Sequence, residues 1–223
     1  MHLKELITTD DGSHSINLPE LNITYHSKHG AIQESQHIFI ECGLKPMMEK
    51  RSEVSIFDLG MGTGLNVLLT YMETLDKPVK VYYETVEINV VEPELVNQLN
   101  YTTVLQRPDL QGTFLQIHEL PWNSPNHLAE NFYFYKRQAD AIDIVLSTTY
   151  NLIYFDAFAP EVKPEVWSVA IFKKFYEALE HGGILLTYCS KVTIRAAMEE
   201  AGFSVEKLDG PWGKREITRA TKL

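Results

Sequence analysis

From Val54 onward, short apolar runs bounded by turn residues alternate with stretches whose apolar positions recur at helical spacing. The apolar runs predict strands at 54–58, 80–87, 131–137, 151–156, 183–189, 203–208 and 215–220. The helical-period stretches predict helices near 64–75, 92–100, 139–147, 165–180 and 191–201. Strand–helix alternation of this kind implies an α/β fold, a mostly parallel seven-stranded sheet with helices on both faces. The opening of the chain reads differently. Asn22 to Tyr25 predicts a short strand, HSKHG a turn, and residues 31–44 a helix. The expected organisation is therefore a small extension, 1–50, packing on the core, and an α/β domain, 51–223. Residues 101–130, rich in Pro, Gln, His and Asn, predict an excursion over the sheet edge, and Gly182-Gly183 the end of a helix and the start of a strand.

One strand–turn–helix junction carries chemistry. Val54 to Phe57 is apolar, Asp58 follows, and Gly60, Gly62 and Gly64 precede the helix-like LNVLLTYME. Glycines allow positive φ and let a ligand approach the main chain closely. An acid just before a G-x-G-x-G turn would repel a pyrophosphate and suit a cation. S-adenosylmethionine (SAM) carries an ammonium and a sulfonium. The pattern therefore favours SAM over a dinucleotide, hence a Rossmann-like class I SAM-dependent methyltransferase fold, with Asp58, Gly60, Gly62, Gly64 and Asn66 on the cofactor side.

In open α/β sheets ligands lie at the carboxyl ends of the strands, near the point where strand order reverses. Glu87, closing KVYYETVE, is placed there to accept the ribose hydroxyls, with Glu84 as the rival if the strand ends earlier. Asp140 can cap a helix or accept from the adenine amine; Asp143, one turn on, reads as a solvated charge. The hydrophobic strand in NLIYFDAFAPEVKPEVW delivers Asp156 to the same edge, where it can orient an incoming amine and accept its proton, or instead tie the loop to backbone amides. Phe158 and Pro160 stiffen the loop after it. Ser190, Lys191 and Arg195, with Trp212, Lys214, Arg215 and Arg219, combine cations with an aromatic. Such groups can hold phosphates and stack on a base, or form a solvated face with a charged edge strand.

Composition narrows the range. The chain has 223 residues, 44% of them hydrophobic and 22% charged, enough for one domain with a substantial core. No apolar run approaches a membrane span, and the first residues lack the apolar region of a signal peptide. Two cysteines, Cys42 and Cys189, predict a reduced cytoplasmic setting. His26, His29, His37, His118 and His127 are scattered without metal-ligand spacing, and no G-x-S-x-G elbow occurs. A net charge of −10 argues against nonspecific nucleic-acid binding but leaves room for a local basic face.

Taken together, FDLGMGTGLN, DAFAP with Pro164-Glu165-Val166-Trp167, EAGFSV and GKRE resemble, in order and spacing, the methyltransferase domain of the bacterial tRNA 5-(methylaminomethyl)-2-thiouridine biosynthesis enzyme. The resemblance covers roughly residues 20–221. It implies SAM-dependent methylation of the primary amine of 5-aminomethyl-2-thiouridine at the tRNA wobble position. The family often fuses this domain to an FAD-dependent oxidase. This sequence has no second glycine fingerprint, so it resembles a stand-alone form, without FAD, that would take its amine precursor from a separate enzyme or modification complex. The resemblance assigns the glycine loop to the methionine part of SAM, Glu87 to the ribose and Asp140 to the adenine. Asp156 with Phe158 to Pro160 would shape the transfer pocket, and Lys214-Arg215-Glu216 would sit beside the substrate mouth. Ala157 and Ala139 stand where the family often has glycine. Three other readings use the same fold: a methyltransferase for a small-molecule or protein amine, an aminopropyltransferase of the polyamine-synthase type, and a non-catalytic SAM-binding module.

Overall fold

The computed structural model describes residues 3–146 and 148–223. Strands β1 (Glu5–Thr8), β2 (His14–Leu18) and β3 (Ile23–Thr24) form a small antiparallel sheet. Three helical stretches then run on from one another: α1 (Ala31–Ser35), π-helical Gln36–Leu44, and α2 (Lys45–Met48). This segment belongs to the main core. Ile38, Phe39, Ile40 and Leu44 are buried in one cluster with Ile56, Leu152 and Leu186. Gly43 makes the contact close: a Cβ there would stand 2.7 Å from Leu186 Cδ1.

The α/β domain follows in chain order. It runs β4 (Glu53–Leu59), α3 (Leu65–Thr74), β5 (Lys80–Glu87), α4 (Pro93–Val96), α5 (Tyr101–Val104), α6 (Gln111–Glu119), β6 (Pro125–Ala129), β7 (Phe132–Gln138) and β8 (Tyr150–Phe155). It continues with α7 (Val169–Ala178), β9 (Leu179–Thr187), α8 (Val192–Glu200), β10 (Ser204–Asp209) and β11 (Glu216–Thr221). Among the described residues the main sheet has eight strands in the order β10-β11-β9-β8-β4-β5-β7-β6. Pairs among β9, β8, β4, β5 and β7 are parallel, whereas β10, β11 and β6 pair antiparallel. All six residues of β8 are buried, as a central parallel strand requires. One apolar cluster lies on each face: α3, α6 and the 31–48 segment cover one, α7 and α8 the other. The order turns back on itself at β4, which opens a crevice at the carboxyl ends of β4, β5 and β8.

The seven strands anticipated from the pattern are present, and β6 adds an eighth at the edge. This strand begins at Pro125 and shifts register between His127 and Ala129. Beside it Tyr133 stacks on Tyr82 at 4.8 Å, and His127 meets Tyr133 at 4.5 Å. The 101–130 excursion holds α5, α6 and β6.

Three expected features differ. Residues 139–146 form no helix; a turn closes from Asp143 N–H to the Asp140 carbonyl at 3.1 Å. Ser147 lies outside the described residues. The carbonyls of Ile142, Ile144 and Val145 are taken by Lys174 and Arg137 instead of by amides one turn on, and β-branched Ile142, Ile144 and Val145 disfavour a helix. The expected 92–100 helix is reduced to α4, with α5 starting afresh at Tyr101. Gly182-Gly183 does not end a helix. Helix α7 stops at Ala178, and the two glycines lie inside β9, where Gly182 (φ +79°) donates to the Lys222 carbonyl at 2.7 Å.

Candidate functional site

Two cavities meet at the carboxyl edge of the sheet. The first, a cleft of about 730 Å³ including its open mouth, runs over the glycine turn between the ends of β4, β5 and β7. Apolar Val86, Ile88, Ala139, Ala141 and Val166 line it with Glu87 and the Gly60–Gly62 backbone. The second is lined by Asn22 to Ser27, Glu34, Tyr188 and Lys214. Tyr25, His26, Asp156, Ala157 and Phe158 belong to both.

The turn is shaped by its glycines. Gly60, Gly62 and Gly64 have φ of +103°, +49° and +75°. A Cβ on Gly64 would stand 2.7 Å from His118 Nε2, and one on Gly60 3.0 Å from the Asp156 carbonyl. Thr63, between the last two glycines, anchors the turn. Tyr101 donates to its hydroxyl at 2.9 Å, which leaves the Thr63 proton for His26 Nε2 at 2.8 Å. His118 Nε2 donates to the Thr63 carbonyl at 3.1 Å. Burial pushes both histidines down to about 4, so each is neutral at physiological pH.

Glu87 ends β5 at the cleft, as expected, and Glu84 does not compete. Glu84 points elsewhere, accepting from Arg137 at 2.8 Å and Tyr150 at 2.6 Å. Glu87 accepts the Gly62 N–H at 3.0 Å and the Asn89 N–H at 2.7 Å. Burial nevertheless raises it above the ordinary carboxylate range.

Asp58 and Asp140 do not line the cleft. Asp58 is fully buried beneath the turn, where Tyr83 donates to Oδ2 at 2.8 Å and Thr85 at 3.2 Å. Burial, then the charge of Asp156, hold it well above its usual value. Its Oδ1, and Oδ1 of buried Asn66, have no hydrogen-bond partner among the described residues. The Asp140 carboxylate is taken up by Lys163 at 2.8 Å and the Ile142 N–H at 3.0 Å. Burial would raise it, but these donors keep it below the usual range. Its neighbours Ala139 and Ala141, and Lys163 itself, face the cleft in its place.

Asp156 stands where the two cavities join. Asn66 Nδ2 donates to its Oδ2 at 2.9 Å. Burial and the nearby Glu34 charge push it up to about 7, against the lowering effects of Asn66 and Lys214. The loop after it is pinned twice: Trp167 Nε1 donates to the Phe158 carbonyl at 2.8 Å, and the Tyr188 hydroxyl to the Ala157 carbonyl at 2.8 Å. The Phe158 ring meets Tyr25 edge-on at 5.2 Å. The downstream tryptophan of the DAFAP motif is thereby accounted for.

On the second cavity the basic residues separate. Lys214 faces it, donating to Glu34 Oε1 at 2.7 Å and lying 4.5 Å over the Tyr188 ring. Pro160, Ser190, Lys191, Arg195, Trp212 and Arg215 do not line it. Lys191 pairs with Glu161, and Arg195 donates to the Ser190 carbonyl at 3.4 Å. Trp212 is 68% exposed and packs on His29 at 5.8 Å. The guanidinium of Arg215 makes no ion pair among the described residues. Sequence reasoning missed Tyr25, His26, Glu34 and Tyr188. Tyr188 could have been found from its place just beyond β9; the other three carry no local signal.

Comparison with known proteins agrees with this geometry. Residues 136–223 match the family described as S-adenosyl-L-methionine-dependent methyltransferase. Over 231 residues, 95% of the chain, it is 27% identical to the tRNA 5-methylaminomethyl-2-thiouridine biosynthesis bifunctional protein MnmC of Burkholderia mallei, of which the match covers 34%. The chain thus spans about a third of the length of such curated relatives. Among solved structures, MNMC2 from Aquifex aeolicus superposes with a TM-score of 0.78 at 22% identity, covering 100% of this chain and 71% of that one. Spermidine synthase from Thermotoga maritima has the same fold at a TM-score of 0.54 and 12% identity, covering 100% of this chain and 80% of that one. The fold is that of class I SAM-dependent methyltransferases.

Proposed function

We propose that this chain is a SAM-dependent methyltransferase that transfers a methyl group to the primary amine of 5-aminomethyl-2-thiouridine at the wobble position of tRNA. One observation carries the reading: a single carboxylate, Asp156, lies at the junction of a cofactor cleft and a second, acid-lined cavity. The similarity over 95% of the chain to proteins named for that modification supports this choice of acceptor. We also read 1–50 as an extension that completes the second cavity and 51–223 as the methyltransferase domain.

The cleft suits the donor. Val86, Ile88, Ala139, Ala141 and Val166 offer a flat apolar slot for the purine, and Glu87 lies where the ribose diol would fall. The backbone of Gly60 and Gly62, at positive φ, comes up to the cleft where the methionine part of the donor would lie. When bound, SAM supplies an electrophilic methyl on a sulfonium.

The protein must deliver a neutral amine in line with that methyl. An alkylamine with a pKa of roughly 10.4 costs about 4–5 kcal/mol to deprotonate at neutral pH. Asp156, raised to about 7, is a better proton acceptor than an ordinary carboxylate. It can hold the incoming ammonium, take one of its protons, and leave the nitrogen lone pair directed at the methyl carbon. SAM held in the cleft would supply the methyl carbon to that lone pair, the C–S bond electrons leaving with sulfur. Alignment at the junction supplies the larger part of the acceleration.

A tRNA substrate puts this work in the cytoplasm and requires another enzyme, an oxidase or a modification complex, to supply the aminomethyl group. Incubation with labelled SAM and tRNA from cells lacking this protein, followed by nucleoside mass analysis, tests the reading. Label on 5-aminomethyl-2-thiouridine is expected. Label on a small amine and none on tRNA, or preference for decarboxylated SAM, would replace it with one of the other readings.

A further inference from the structure

The second cavity already holds an alkylammonium, and it belongs to the protein. Lys214 Nζ lies 2.7 Å from Glu34 Oε1 and 4.5 Å over the face of Tyr188. Both partners, and Asp156, line the same cavity. A carboxylate with an aromatic face is the chemistry that receives a primary ammonium. Glu34 is built in. Its side chain is 13% exposed, and its other oxygen accepts the Ser27 N–H at 2.9 Å. Lys214 is held less firmly: it is 29% exposed and sits in a loop between β10 and β11.

We infer that Glu34 and Tyr188 form the subsite for the acceptor's ammonium, and that Lys214 occupies it as a stand-in until a phosphate-bearing substrate draws the lysine away. The inference rests on the wobble-amine reading and adds a specificity device to it. An amine arriving alone must displace Lys214 and leaves that cation without a partner. An amine arriving with flanking phosphates exchanges the Lys214–Glu34 pair for two pairs, substrate ammonium on Glu34 and Lys214 on phosphate. The balance of charge is unchanged in the second case and worsened in the first. Free nucleosides and small amines are thereby disfavoured by an internal competitor, although the cavity could accommodate them. Lys214 on this account is a gate as well as a phosphate ligand, and Glu34 touches the substrate without taking part in proton transfer.

The test compares three acceptors in methyl transfer from labelled SAM: tRNA bearing 5-aminomethyl-2-thiouridine, the free nucleoside, and its 3′,5′-bisphosphate. Wild-type protein should prefer the bisphosphate to the nucleoside. Lys214→Met should raise kcat/KM for the nucleoside about tenfold, the factor that about 1.4 kcal/mol of released competition produces, while lowering it for tRNA. Glu34→Gln should lower kcat/KM for all three, with SAM affinity by calorimetry unchanged. A Lys214→Met protein that loses activity on nucleoside and tRNA in parallel, or leaves the nucleoside unaffected, overturns the inference. So does equal use of nucleoside and bisphosphate by the wild type, which needs no variant to fold. Absence of methyl transfer to tRNA by the wild type would be a different failure, that of the acceptor reading itself.

Discussion

The two cavities that share Asp156 are built in contrasting ways. The cofactor cleft is assembled from short, contiguous pieces: the glycine turn, the last residues of β5, and the residues just past β7. The acceptor cavity gathers Tyr25 and Glu34 from before the domain, Tyr188 from the end of β9, and Lys214 from the last hairpin. The first presents backbone and apolar surface, which a local motif can encode. The second presents charged side chains brought together only by the tertiary fold. On the proposed function, donor chemistry would therefore be written locally, and acceptor choice would depend on residues far apart in the chain.

The sharpest way to break this division is to remove the residue both cavities share. Asp156→Ala should lower turnover by roughly 10²–10⁴-fold, the usual range for a lost proton acceptor, while calorimetry finds SAM affinity little changed. Equal losses in both would assign Asp156 to the cofactor side alone. Titration sharpens the same point. With Asp156 at about 7, kcat/KM should fall as pH drops below neutrality, and Asp156→Asn should abolish that limb. The stability sign runs the other way. The native carboxyl keeps its proton where the unfolded one, near 3.8, has lost it, so this group's contribution diminishes as pH rises from about 4 to 7. Without SAM, Asp156→Asn should consequently melt higher than wild type at pH 8 and not at pH 4.

A smaller effect is expected from the donor side. Gly64→Val would place a branched Cβ at a positive φ, 2.7 Å from His118 Nε2. SAM affinity should fall by at least about tenfold, roughly 1.4 kcal/mol of backbone strain. The residual enzyme, at saturating SAM, should discriminate among acceptors as before. Altered discrimination would mean that the cavities are not separable. The weakest effect is expected at the periphery. Arg215→Ala removes a cation that makes no ion pair among the described residues and should weaken tRNA binding a few-fold at low salt, with the salt slope reduced by about 1. Lys191→Ala, already neutralised by Glu161, should change the slope less.

The same contrast governs what was legible in the sequence. The strand pattern found the parallel core because buried strands such as β8 are largely apolar, Asn151 being the exception there. Glu87 and Asp156 line the cleft because one ends β5 and the other directly follows β8 at that edge. Asp140 and Asp58 were assigned to direct contact with SAM because their positions fit. Position alone does not reveal that Lys163 and Ile142 occupy one carboxylate, or that Tyr83 and Thr85 hold the other beneath the turn. The helix expected after β7 is absent because distant Lys174 and Arg137 capture its carbonyls. Glu34 was invisible for a related reason. Within its helix it reads as an ordinary polar position, and only the approach of Lys214, 180 residues later, makes it a binding group.

The edge strand β6 has a consequence of another kind. An open sheet margin flanked by the stacked rings of Tyr82 and Tyr133 invites a neighbouring chain to add a strand, the first step towards aggregation. Pro125 withholds one amide there, and the irregularity between His127 and Ala129 bends the rest out of register. Both features make this margin a poorer template for an added strand.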